Sequence, residues 1–147
     1  MRSAEAIADG ARRESEVWAR ALREVPAWEP VFSLLAPPEL ALGVETVYEA
    51  YLVHYGAPRL FDPPDQDEAV LLGDYLYAHG LVRIAEAGGV TAVATMAELI
   101  SRCAALRADG AEGDADAWVE AMRALGGEPG ADASASARAR HCARVAA

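Results

Sequence analysis

A helix with almost no polar face leaves a protein few ways to fold, and this chain contains one. From about Glu68 to Glu86 the residues Ala69, Val70, Leu71, Leu72, Tyr75, Leu76, Tyr77, Leu81, Val82 and Ile84 are apolar on nearly every side. Such a helix has to be covered by other helices or by another chain, because it would otherwise hold a large apolar patch in water. Asp74, His79 and Arg83 interrupt the run, which reads as a buried helix and not as a membrane span. Just before it, Val44, Val47, Tyr48, Tyr51, Leu52 and Tyr55 recur at threes and fours, the spacing of one helical face. The corner between the two, APRLFDPPDQDE, is acidic and broken by prolines.

The remaining segments repeat the helical pattern. Ser3 to about Glu24 reads as one amphipathic helix with Ile7, Ala11, Val17, Trp18, Ala21, Leu22 and Val25 inward, ended by Pro26. AWEPVFSLLAPP predicts a short helical turn over Val31–Leu35 that presents Trp28, Phe32 and Leu35 to a core, and Pro37 and Pro38 open the helix that reaches Tyr55. Gly88 and Gly89 mark a stop. Val90 to about Ala108 then carries Val93, Met96, Ala97, Ile100, Cys103, Ala104 and Leu106 as its stripe, and Asp114–Leu125 places Trp118, Met122 and Leu125 on one face. The expectation is an all-α bundle of five or six helices over residues 1–128. Residues 129–147, PGADASASARARHCARVAA, read as a low-complexity tail or a marginal terminal helix unable to fold alone.

Composition removes several function classes. A chain of 147 residues suits one domain, which commonly takes roughly 100 to 200 residues. A formal charge of −10 argues against nucleic acid or an anionic membrane surface as partner. All thirteen cations are arginine, so Schiff-base and P-loop lysine chemistry are excluded. Cys103 and Cys142 suggest neither a disulfide framework nor a metal knuckle, and with no apolar h-region after Met1 a cytoplasmic location is expected. His54, His79 and His141 lack metal spacing, and no GxSxG, HExxH or GxGxxG string occurs. No catalytic residue and no metal ligand is assigned. Asp62, Asp65 and Asp67 could bind a divalent cation weakly, but a helix cap by Asp65 or Asp67 is the better account of them.

Two stretches carry a family likeness. LLGDYLYAHGLVRIAE resembles the helix that opens with a GDxL element in trans-isoprenyl diphosphate synthases, and ETVYEAYLVHYG resembles the helix before it, with Glu45, Ala50, Leu52, Val53 and His54 at pattern positions. The resemblance implies the N-terminal half of the isoprenoid synthase fold, since synthases of this family are roughly twice as long. On the same alignment the three aspartates of the magnesium-binding DDxxD motif fall on Tyr55, Gly56 and Arg59, which cannot replace hard oxygen ligands, and no second aspartate-rich motif follows Glu86.

What the resemblance implies is therefore a half-length, non-catalytic small subunit like those of bacterial hexaprenyl and heptaprenyl diphosphate synthases. Such a subunit would stabilise a catalytic partner that carries the Mg2+ and help shape the tunnel for a quinone side-chain precursor. Tyr48, Ala50 and Tyr51 occupy the positions that set chain length in the family. Leu72, Leu76, His79, Arg83, Val93, Met96 and Ile100 lie on the two helices that form the family's subunit interface, and His54 and Asp74 are expected to be structural polar residues. Asp74, inside the most apolar helix, would need a partner such as Arg59, Arg83, Arg102 or a tyrosine hydroxyl. The alternative reading is a homo-oligomeric helical protein that holds a lipid or isoprenoid without reaction.

Overall fold

A computed structural model of the protein describes residues 2–145, and they form an all-α bundle of six helices. In chain order these are α1 (Arg2–Glu14), α2 (Glu16–Arg20), α3 (Ala41–Tyr55), α4 (Gln66–Ala108), α5 (Asp114–Ala124) and α6 (Ala131–Val145). Short 3₁₀ turns at Ser33–Leu35 and Pro38–Leu40 lead into α3.

The N-terminal helix is shorter than its apolar spacing predicts. Ser15 divides it: the backbone there is extended, and the Ser15 hydroxyl accepts from the Val17 amide at 3.0 Å, starting α2 afresh. Beyond Arg20 the chain leaves the helix because its backbone finds partners in the corner. Arg23 N donates to Leu60 O at 2.8 Å and Asp62 N to Ala21 O at 2.7 Å, around an antiparallel bridge between Leu22 and Phe61. Val25, expected to point inward, is exposed, and Trp28 is half-buried.

The two central helices exchange the roles that their sequences suggest. Every residue of α3 from Gly43 to Val53 is buried, including Glu45, Thr46 and Glu49, so the helix with one evident apolar stripe is the axis of the molecule. It separates two apolar clusters. One is built on Phe32, Tyr48, Ile84, Met96, Trp118 and Met122, the other on Ile7, Val53, Phe61, Leu72 and Leu76. The first half of α4, apolar all round, packs only one side on α3. Val70, Leu71 and Val82 remain 40, 60 and 52% exposed.

Glycines set how closely α3 and α4 approach. The helices run antiparallel, with Gly43 against Ile84, Val47 against Gly80 and His54 against Gly73. A Cβ on Gly80 would lie 2.7 Å from Val47 Cγ2 and 3.1 Å from the Val47 backbone nitrogen, so the contact needs glycine. The stop expected at Gly88 and Gly89 is a break inside α4: Gly89 adopts φ 74° and ψ −168°, outside the helical region, and Val90 then resumes the helix. In α4 an 18-residue stretch of mean hydropathy 1.3 is only 22% buried by the rest of the chain.

Candidate functional site

Two polar constellations are built on α3, at residues four and three apart on adjacent faces of the helix. The first joins Glu45, Glu49 and Arg59, all essentially inaccessible to solvent. Arg59 Nε donates to Glu49 Oε1 at 3.0 Å and Nη1 donates to Glu45 Oε1. Arg59 Nη1 also reaches Glu29 O at 2.8 Å, and the guanidinium lies 4.0 Å from the centre of the Trp28 ring. The carboxylates take backbone donors as well: Glu45 Oε2 accepts from Val31 N and Ser33 N at 3.3 Å each, and Glu49 Oε2 from Arg59 N at 3.0 Å and Leu60 N at 2.8 Å. Burial alone would lower the Arg59 pKa, but the two glutamates outweigh it and raise it. Three charges thus fasten the loops before and after α3 onto its middle. With the carboxylate oxygens committed to these donors, the cluster is a clamp and not a base or a metal site.

The second constellation links α3 to α4, α5 and α6. The Tyr48 hydroxyl lies 2.8 Å from His141 Nδ1, and His141 Nε2 lies 2.7 Å from Asp114 Oδ2. Tyr51 donates its hydroxyl to the same Asp114 oxygen, and Arg107 donates from Nε to the Tyr51 oxygen at 2.8 Å and from Nη2 to Asp114 at 2.9 Å. Burial would raise the Asp114 pKa, but the hydrogen bonds from His141 and Tyr51 and the charge of Arg107 hold it well below the usual carboxylate range. Burial pushes the Tyr48 and Tyr51 hydroxyls up, so both stay protonated donors. Phe32 stacks on Trp118 at 5.2 Å beside the Tyr48 and His141 end of this network, while Arg107 and Asp114 at its other end are partly exposed.

The residues singled out from sequence fall in varied places. Tyr48, Ala50 and Tyr51, to which the family resemblance would assign chain length, are buried in α3. Of the three positions on which the resemblance would place metal-binding aspartates, Arg59 is the hub of the first constellation, Tyr55 packs 5.0 Å from Tyr51, and Gly56 caps α3 under the α6 backbone. Leu72, Leu76 and Met96 are buried inside the chain, so they cannot meet a partner in this conformation. Val93 and Ile100 are half-buried against the core, His79 stacks on Tyr75, and Arg83 donates to Thr46 Oγ1 at 2.9 Å.

Asp74 corrects the sequence reading. Its side chain is 67% exposed, and none of the expected arginines or tyrosines holds it. The turn of α4 that carries it faces outward because Leu72, Gly73 and Leu76 take the inward positions. His54 Nε2 lies 3.5 Å away without hydrogen-bond geometry, and burial lowers the His54 pKa despite the attraction of Asp74. Asp62, Asp65 and Asp67 are exposed, and Asp65 caps α4 by accepting from Glu68 N at 2.8 Å. Among the described residues no three His, Cys, Asp or Glu side chains converge as a cation site would require. Burial pushes the Cys103 thiol up to about 12.

Sequence reasoning passed over Glu49, Arg107, Asp114 and His141. Glu45 and Glu49, two carboxylates four apart in an otherwise apolar helix, were a readable sign of a buried cation. His141 sits among alanines and arginines, and nothing local distinguishes it. Set against known families, curated proteins and solved structures, the chain matches none of them.

Proposed function

We propose that the chain is the non-catalytic small subunit of a heteromeric long-chain trans-polyprenyl diphosphate synthase, one that docks on and stabilises a catalytic subunit. The observation that carries this reading is the outer face of α4. Leu71, Ala78, Val82 and Ala85 are exposed along its first half, and Val90, Ala94, Ala97, Ser101, Ala104 and Ala108 continue at alternating steps of four and three along its second. That spacing is the seam of a helix pair, and its small side chains allow a second helix to come close. An uncovered apolar face of this length favours a partner.

The likeness of ETVYEAYLVHYG and LLGDYLYAHGLVRIAE to the synthases supplies the class of partner, and Tyr55, Gly56 and Arg59 in place of metal-binding aspartates supply the non-catalytic role. The Mg2+ and both diphosphates would belong to the partner. The docking register differs from the one that the family likeness implies, since Leu72, Leu76 and Met96 are used internally and Leu71, Val82 and Val90 are free. A contribution of Tyr48 and Tyr51 to a shared product tunnel would require α6 to move aside, because His141 covers both.

Co-expression with candidate synthases from the same genome, followed by size exclusion and a prenyl-chain assay, tests the proposal. The expected result is a heteromer with long-chain activity that neither subunit has alone. A chain that elutes as a self-dimer with every synthase favours the second reading, a homo-oligomer using the same face. Condensation of allylic and homoallylic diphosphates by the isolated chain would overturn both.

A further inference from the structure

We propose that α6 is a hinged cover, held shut by a polar latch, that opens without unfolding the rest of the bundle. This goes beyond the partner reading and does not depend on it. Three observations carry it. The first is how little apolar surface α6 contributes: its buried residues are Ser134, Ala137 and His141. A helix of 15 residues docked by one alanine, one histidine and the half-buried Val145 gains little from the hydrophobic effect.

The second is the nature of its other contacts. Arg138 Nε pairs with Asp116 at 2.8 Å at the surface, Arg140 donates to Pro30 O at 3.3 Å, and Arg144 donates to Ala27 O at 2.9 Å and Ala57 O at 3.2 Å. Ala57 N donates back to Arg144 O at 2.9 Å. Water can replace each of these exposed or partly exposed bonds at small cost. His141 is itself inaccessible and its bond to Tyr48 is buried, so water does not readily replace this part of the attachment; with the bond to the partly exposed Asp114 it makes the latch.

The third is the joint. Between α5 and α6 runs Leu125–Gly126–Gly127–Glu128–Pro129–Gly130. Gly127 is pinned, since a Cβ there would lie 1.9 Å from Leu35 O, whereas Gly130 meets nothing within 4 Å. The fixed and free glycines place the hinge at Gly130, directly before the helix. Opening there uncovers Phe32, Tyr48 and Tyr51, whose rings lie 5.4 to 5.7 Å from His141.

Native-state hydrogen exchange on the full chain, read residue by residue at low urea, decides the matter. Amides of Ala137–His141, in the middle of α6, are expected to exchange at least about 100-fold faster than those of Thr46–Leu52 in α3, with a shallower urea dependence. Asp114→Asn weakens the bond to His141, which is lost in every opening of α6, and also the bond from Tyr51 in α3. It is expected to speed the α6 amides roughly tenfold while α6 still exchanges well ahead of α3 with the shallower urea slope. Arg144→Gln, which removes only contacts to backbone carbonyls and Glu29, makes the same comparison should the first variant fold poorly. If α6 and α3 exchange at one rate with one urea slope, in the wild type and in the variants alike, α6 opens only with the whole molecule and the proposal fails.

Discussion

Replacing Arg59 with methionine removes the one cation from a site that holds two carboxylates out of water. Methionine keeps most of the volume and the packing against Trp28 and Tyr48, so the change isolates the charge. Glu45 and Glu49 would retain their four bonds from the amides of Val31, Ser33, Arg59 and Leu60 but lose the guanidinium. Breaking a buried pair by removing one partner costs about 3–5 kcal/mol. Against a typical total of about 5–15 kcal/mol the loss is severe, and for a chain of 147 residues it lowers Tm by roughly 10–16 °C.

Urea denaturation followed by circular dichroism measures the loss directly, provided that the slope m is unchanged. Adding Glu45→Gln to Arg59→Met should restore at least about 1 kcal/mol, because it neutralises one stranded charge while keeping an acceptor for Val31 and Ser33. A loss under about 1 kcal/mol for Arg59→Met, or no recovery in the double variant, would show that the carboxylates do not depend on Arg59 and refute the clamp.

Three further outcomes follow from the same geometry. Gly80→Ala forces a methyl group onto Val47 and its backbone nitrogen and should cost about 1–3 kcal/mol in urea denaturation, while Gly130→Ala, in open space, should cost less than about 1. Because the folded-state pKa of Asp114 is depressed, its contribution is fully present above the unfolded value of about 3.9 and is lost as pH falls from there through the folded value. The stability difference between the wild type and Asp114→Asn should therefore be flat from pH 7 to about 4.5 and shrink below it, as seen in denaturation curves at stepped pH. Val82→Arg, on the outer face of α4, should change stability by no more than about 0.5 kcal/mol yet abolish the heteromer on size exclusion.

The fold class was legible from the chain itself, and so were the breaks. Apolar residues at threes and fours, prolines at 37 and 38, the glycine pair at 88 and 89 and an aspartate before α4 are local instructions, and each acts within a few residues of where it stands. Even Ser15, whose capping bond splits the first helix, acts locally, although the longer apolar pattern hides it. Glu45 and Glu49 were passed over as a sign of a buried cation, and even so read they do not say which of thirteen arginines would come.

What the tertiary structure alone decided is which side of each helix faces in. In α4 nearly every side is apolar, so composition cannot choose between Leu71 and Leu72. The choice is made by Gly43, Gly73 and Gly80, which let α3 and α4 touch along one line only. The partners of Arg59 and of His141 were settled in the same way, since residues 10 to 93 positions apart in sequence meet only after the bundle closes. A sequence encodes how each segment prefers to coil, but the free energy of burial depends on distant neighbours, and that dependence selects the inward face.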